Sequence, residues 1–171
     1  MLLKKIVSCV EMLKSKKYTI ALAEGISNGS VFDAFASFKP ADYCLTGGMI
    51  ASNNRMKEYF FGIPEDKLNY LGSESPEVAE IMAHKLPKYF NADIYIAITG
   101  GAEFDSESPV SKTSSEQPIN LHLYYPKQSI SKEILLSDNE VFNMKEAIIA
   151  ICDSVINKIR PENSRELEMA Y

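Results

Sequence analysis

The segment YTIALAEGISNG, residues 18–29, indicates the fold class of this chain. Its first half, Tyr18–Ala23, is apolar and bounded by lysines and a glycine, which predicts a strand buried inside a sheet. Its second half forms a short glycine turn, Gly25–Gly29, and a helical pattern around Val31 and Phe35 follows and ends near Pro40. Strands separated by helices favour parallel pairing in a sheet that is covered on both faces.

The rest of the chain extends this pattern. Further strands are predicted at Tyr43–Ser52, Asp93–Thr99, Ile119–Tyr125 and Ile130–Leu136, the last two as a hairpin. Helices are predicted between Leu3 and Leu13, at Asn54–Phe61, after a cap at Ser75, and from Ser137 or Asp138 to Pro161. We therefore expect an α/β fold, a three-layer α/β/α sandwich with a mixed, mostly parallel sheet of about five strands. Residues 1–160 form one domain in this interpretation, and 161–171 form a polar tail.

Two local features stand out within these elements. Gly47 and Gly48 interrupt the second strand, and adjacent glycines in a strand predict a bulge or a close approach of another group to the backbone. The segment Glu103–Gln117 is rich in serine and acids. A loop of this length predicts a lid, a binding loop or a segment that is simply mobile, and in an interaction subunit it would serve as a contact surface.

Composition excludes several classes of protein. The chain of 171 residues has 18 basic and 23 acidic residues and a net charge of −5, which argues against a nucleic-acid partner. No apolar run approaches the length of a membrane helix, and the start lacks the features of a signal peptide, so no membrane partner is expected. The cysteines Cys9, Cys44 and Cys152 are few and scattered, which is typical of a reducing, cytoplasmic location. With only His84 and His122 as histidines, we expect no metal and no cofactor.

Small polar turns follow three of the predicted strands, at Glu24–Gly29, Thr46–Gly48 and Thr99–Gly101. Ligands of open α/β sheets bind beyond the carboxyl ends of the strands. The turn from Gly25 to Ser30 precedes a helix and suits a phosphate or a carboxylate, although the same sequence also fits an ordinary tight turn. The chain therefore predicts a small-molecule pocket at this edge of the sheet.

Candidate chemistry at this edge involves Glu24, Ser27, Asn54, Lys57 and Thr99. A hydroxyl and a lysine could form a serine–lysine site for acyl transfer, with the lysine as the base. The alternative is that Lys57 lies on the solvent face of its helix, and composition favours this alternative because buried lysines are rare.

Four motifs at these turns resemble the C-terminal domain of the CinA (competence-damage-inducible) family. The family reads A-E-S-C-T-G-G, A-Y-S-N-E-A-K, G-A-V-S-E-E-V-A and A-V-T-G-I-A-G-P. The chain reads AEGISNG at Ala23–Gly29, ASNNRMK at Ala51–Lys57, GSESPEVA at Gly72–Ala79 and AITGGAEF at Ala97–Phe104. Order and spacing match over nearly the whole chain.

The resemblance implies the α/β fold predicted above, and it also implies an enzymatic activity. Free-standing members of the family remove the amide of nicotinamide mononucleotide, with a serine nucleophile in the first motif and a lysine base in the second. The base is present here as Lys57, but the nucleophile position is Gly25. Ser27 takes the place of the family's threonine, and Asn143 replaces an arginine of the last helix. Glycine carries no nucleophile, so the ordinary amidase mechanism is expected to be lost.

Three functions follow from these observations. The first is a divergent member that binds an anionic small molecule, nicotinamide mononucleotide or a related phosphorylated compound, without hydrolysis. Its binding residues would come from the following set: Glu24, Gly25, Gly29, Ser30, Asn54, Thr99 and Gly100. The second is an active amidase in which Ser27 or Ser30 acts as a relocated nucleophile with Lys57. The third is a non-catalytic interaction subunit, and a homo-oligomer is expected from the resemblance alone.

Overall fold

A computed structural model describes residues 1–100, 119–125, 128–134 and 140–160. The helices are α1 (Leu2–Lys16), α2 (Ser30–Ala36), α3 (Asn54–Phe61), α4 (Glu65–Leu71), α5 (Pro76–Lys85) and α6 (Glu140–Ile159). The strands are β1 (Ile20–Glu24), β2 (Leu45–Ile50), β3 (Ile94–Gly100), β4 (Ile119–Tyr125) and β5 (Gln128–Ile134). Short 3₁₀ turns occur at Lys39–Tyr43 and Leu86–Lys88.

The five strands form one mixed sheet in the order β2-β1-β3-β4-β5. Strand β1 pairs in parallel with β2 and with β3, and its Ile20 lies opposite Leu45 and Ile94. Strand β4 is antiparallel to both β3 and β5, so β4 alone runs against the others. The prediction of a mixed, mostly parallel sheet of about five strands is confirmed.

The two faces of the sheet pack against different sets of helices, because the side chains of each strand alternate between the faces. Ile20, Leu22 and Ile96 belong to the core that contains α1, α2 and α6. Ala21, Ala23 and Ala97 point the other way and pack in the core formed with α3, α4 and α5. Because successive side chains of a strand face opposite sides, each strand contributes to both cores. This arrangement is the three-layer sandwich expected from the sequence.

The structure shows both a shift in strand pairing and a close approach of other groups near the two glycines of β2. The pairing of β1 with β2 shifts between Ile20 and Ala21, which is a bulge in the ladder. A Cβ on Gly47 would lie 2.3 Å from the ring of Phe90, and one on Gly48 would lie 2.8 Å from the ring of Phe32. Aromatic rings therefore contact this strand on both faces, where only glycine leaves room.

Most differences from the prediction lie at the ends of elements. Strand β1 extends to Glu24, and β5 begins at Gln128, two residues earlier than predicted. Helix α4 is absent from the prediction because it has seven residues and a single buried side chain, Leu68, so it shows no periodicity. The predicted cap at Ser137 or Asp138, the segment Glu103–Gln117 and the polar tail 161–171 lie outside the described residues. Within the ranges given above, no helix is long and apolar enough to cross a membrane.

Candidate functional site

Lys57 is fully buried in the structure, so the expectation that it faces solvent is wrong. It lies on α3, which begins where the side chain of Asn53 accepts a hydrogen bond from the backbone N–H of Met56. Its Nζ donates to the carbonyl oxygen of Ser73 at 2.7 Å and to the hydroxyl of Ser73 at 3.0 Å, and pairs with the carboxylate of Glu74. An ammonium group has three N–H donors, and these contacts use all three. The chain between α4 and α5 thus supplies everything that the buried charge requires.

Glu74 is the functional residue that sequence reasoning missed. One carboxylate oxygen pairs with Lys57, and the other accepts the backbone N–H of Gly100 at 3.1 Å. A Cβ built on Gly25 would lie 3.2 Å from this second oxygen. The carboxylate therefore lies directly against the point where a side chain at position 25 would begin. One signal was available, because the third motif has valine where this chain has Glu74.

Glu24 occupies the predicted anion-binding turn. Its carboxylate accepts the backbone N–H groups of Gly29 at 2.9 Å, Val31 at 3.3 Å and Phe32 at 2.6 Å. These are the donors at the start of α2 that a phosphate would use. Glu24 itself is 1% exposed. The turn therefore binds a carboxylate, and that carboxylate belongs to the protein.

Ser27 does not take part in the network around Lys57. The residue is buried, and its hydroxyl has no hydrogen-bond partner among the residues that the structure describes. Its carbonyl oxygen accepts the N–H of Ser30 at 2.8 Å, which closes the turn. No contact with Lys57 supports Ser27 as a nucleophile.

The remaining predicted residues surround the segment Ser73–Ser75. Asn54 accepts a hydrogen bond from the hydroxyl of Ser73, and Thr99 donates to the carbonyl oxygen of Ser75 at 3.0 Å. Asn120 of β4 donates to the carbonyl oxygen of Glu74 at 2.9 Å. The structure thus gathers Gly25, Asn54, Lys57, Thr99 and Gly100 around one segment, as expected for residues at the carboxyl edge of a sheet.

A small pocket opens beside this network. Its volume is about 240 Å³, below the range of roughly 300–1,000 Å³ that is typical of ligand sites. It lies between α5 and the β4–β5 hairpin and is lined by Pro76, Ala79, Asn120, Leu121, Ser131 and Lys132. Asn120 connects it to Glu74, and Lys132 provides a positive charge at its wall. A pocket of this size suits only a small ligand or part of a larger one.

Sequence comparisons match this chain to one protein family. The model of the CinA C-terminal domain family matches residues 3–113. A CinA-like protein of Thermotoga maritima is 33% identical over 145 residues, which cover 83% of this chain and 34% of that protein. The chain thus spans about a third of the length of the curated relatives it matches.

Solved structures agree with the fold. The competence/damage inducible protein CihA from Agrobacterium tumefaciens has a TM-score of 0.78 at 16% identity, over 91% of this chain and 94% of that one. A CinA superfamily protein from Klebsiella pneumoniae has a TM-score of 0.78 at 15% identity, over 93% and 98% of the two chains. At these identities the likeness concerns the arrangement of helices and strands.

Proposed function

The chain belongs to the CinA C-terminal domain family, and from that premise we propose that it keeps the family's scaffold without deamidating nicotinamide mononucleotide through a serine nucleophile. Its function in this proposal is to bind nicotinamide mononucleotide or a related phosphorylated small molecule. The observation that carries the proposal is the position of Glu74, whose carboxylate lies against Gly25 and pairs with Lys57.

The first step of the serine mechanism has no chemical group to perform it. Acyl transfer needs an oxygen nucleophile at the first motif, and Gly25 has none. A base must also hold a free lone pair, but the three hydrogens of the Lys57 ammonium are directed to Ser73 and Glu74. An ammonium ion held in this way cannot accept a proton from a hydroxyl.

The groups that would receive a substrate are also engaged. The N–H of Gly100 donates to Glu74, and the N–H groups at the start of α2 donate to Glu24. A ligand oxygen can use these donors only by displacing a carboxylate. Glu74 is the more accessible of the two, because 16% of its side chain is exposed. We therefore propose that ligand binding competes with Glu74 for Lys57 and Gly100.

A second candidate function is an amidase with a relocated serine, for which the structure favours Ser73 over Ser27. The hydroxyl of Ser73 lies 3.0 Å from Nζ of Lys57, within the reach that a nucleophile and its base require. The same hydroxyl donates to Asn54 and accepts from Lys57, so attack on a substrate would need the bond to Asn54 to break and Lys57 to lose a proton first.

Ammonia release from nicotinamide mononucleotide separates the two functions. The wild type, Lys57→Ala and Ser73→Ala are assayed at high protein concentration, with an active CinA-family amidase as the positive control. We expect ammonia at the level of the blank for all three proteins. Turnover in the wild type that disappears in both variants would contradict the proposal and establish the Ser73 mechanism.

Calorimetric titration of the same ligand tests the binding part. We expect weak binding by the wild type and at least tenfold tighter binding by Glu74→Gln, since a neutral amide competes less well for Lys57. Glu77→Gln, an exposed acid on α5, serves as the matched control and should behave as the wild type. No binding by any of these proteins would contradict the ligand proposal and favour the interaction subunit.

A further inference from the structure

A second cluster of polar side chains lies on α5 and β4, apart from Lys57. Glu80 and His84 are four residues apart on α5, which places them on one face of the helix. His122 lies on β4, where Asn120 and Tyr124 alternate with leucines of the opposite core. The metal-binding atoms of Glu80, His84 and His122 all lie within 4.8 Å of one another. We propose that these three side chains bind a zinc ion.

The buried ring of His122 provides the first independent support. Only 2% of this residue is exposed. Its Nδ1 lies 2.7 Å from the hydroxyl of Ser131, whereas its Nε2 is buried with no partner in the part of the chain that the structure describes. A buried polar atom without a partner has an energetic cost, because it loses its hydrogen bond to water and gains none in the protein. A metal ion bound to Nε2 removes that cost.

The serines of β5 provide the second support. Nε2 of His84 lies 2.9 Å from the hydroxyl of Ser129, and Ser131 holds His122 in the same way. Ser129 and Ser131 are two residues apart and therefore face the same side of β5. Histidine ligands of metal ions nearly always have the second ring nitrogen held by a hydrogen bond, which fixes the orientation of the ring. Here both histidines have such a partner, which leaves Nδ1 of His84 and Nε2 of His122 for the ion.

The types of the three donor atoms indicate which metal ion the site would bind. Two imidazole nitrogens and one carboxylate oxygen suit Zn²⁺, which accepts three protein ligands and a water molecule in tetrahedral geometry. Bonds of about 2.0–2.2 Å require the donor atoms to approach to about 3.4 Å of one another. Glu80 is exposed, so its carboxylate has room to rotate toward the two histidine rings.

The bound ion would connect α5 to β4 across the groove between helix and sheet. Helix α5 begins at Pro76, two residues after Glu74, and β4 carries Asn120, which donates to the carbonyl oxygen of Glu74. Zinc would therefore hold together the two elements that position the Lys57–Glu74 pair. This inference is independent of the function proposed above, because it requires neither Lys57 nor a nucleotide.

The experiment is a calorimetric titration of tag-free, chelator-treated and reduced protein with Zn²⁺. We expect one ion per chain, and at least tenfold weaker binding in Glu80→Gln and in His84→Ala. Both residues are exposed, so these variants keep the fold. Glu77→Gln, on the same helix, is the matched control and should bind as the wild type. Thermal unfolding of the wild type should shift upward with zinc, and the two ligand variants should show a much smaller shift.

Two results would overturn the proposal. The first is the absence of stoichiometric binding by the wild type. The second is undiminished binding by the double variant Glu80→Gln/His84→Ala, which would assign the metal to other groups such as the cysteines. Substitution with Co²⁺ identifies the ligands directly, because thiolate ligation adds an intense charge-transfer absorption that nitrogen and oxygen ligands lack.

Discussion

Lys57 is stable in the interior of this protein because Ser73 and Glu74 take all of its N–H groups. Removing a charge from water is costly, and a partner charge with complete hydrogen bonding offsets that cost. The pair also has a functional consequence, since the same carboxylate lies against Gly25. A single residue, Glu74, thus pairs with the buried lysine and occupies the space next to Gly25.

Replacement of Glu74 by valine, the residue of the family motif, should destabilise the protein strongly. The variant leaves a buried ammonium group without its counter-charge, and such a change costs about 3–5 kcal/mol. Urea unfolding measures the difference in the free energy of unfolding. The double variant Lys57→Met/Glu74→Val should recover most of the loss, because neither charge remains.

An exposed ion pair provides the control for this prediction. Lys5 and Asp153 form a salt bridge with 40% and 39% of their side chains exposed. Lys5→Met should therefore change the stability by less than about 1 kcal/mol. A similarly small effect of Glu74→Val would show that Lys57 reaches solvent or another partner when the carboxylate is absent.

At the scale of elements, the start of α3 determines where Lys57 lies. Asn53 has an extended backbone, and its side chain accepts the N–H of Met56 at 2.9 Å. At the other end, Gly62 has φ of 64°, a left-handed conformation that favours glycine. The helix between them has only eight residues, so its ends contribute much of its stability.

Asn53→Ala should destabilise the protein by about 1 kcal/mol, because the first turn of α3 loses its cap. Asn53→Asp should be nearly neutral, since aspartate caps a helix equally well. Thermal unfolding of the two variants measures the difference. Ser52→Ala, next to the cap and exposed, is the control and should unfold as the wild type. Equal stability of the alanine and aspartate variants would argue against the cap.

At the scale of the whole molecule, three thiols are buried in the core that contains α1, α2 and α6. Cys9, Cys44 and Cys152 are free and belong to one core. A hydrogen bond with Cys152 and burial raise the pKa of Cys9, and burial raises the pKa of Cys44 from 9.0 to about 11. The folded protein therefore keeps protons on Cys9 and Cys44 at a pH where the unfolded chain has lost them.

This difference predicts a loss of stability in alkaline solution. The folded pKa of Cys44 is raised, so between about pH 9 and pH 11 the unfolded chain binds fewer protons than the folded protein, and the free energy of unfolding falls as the pH rises. By about pH 11 the contribution of Cys44 to the loss is about 2 kcal/mol. Urea unfolding at a series of pH values measures it. Cys44→Ala should show a shallower fall than the wild type, and identical slopes would contradict the prediction.

The predicted homo-oligomer, the absence of nucleic-acid and membrane partners, and the cytoplasmic location stay predictions from composition and resemblance. The titrations proposed above address the ligand directly.

Helices and strands that have a clear pattern over a few residues were predictable from the sequence. The bounds of α3 and β4 agree with their predicted bounds, and Ser75 caps α5 as its position before a proline indicates. Helix α4 and the start of β5 were missed because short elements and tight turns carry little periodicity. The absence of a nucleophilic side chain at position 25 was also readable from the chain, because glycine has none in any fold.

Which side chains meet depends on how distant parts of the chain pack together. Helical periodicity assigns Lys57 to a face of α3, but whether that face is buried depends on the segment from Ser73 to Ser75 that packs on it. Likewise, His84 and His122 carry no common motif, and they come together because β4 pairs beside β3 under α5. Local sequence fixes backbone conformation over a few residues. The pairing of buried charges and metal-binding groups depends on packing between elements that are distant in the chain.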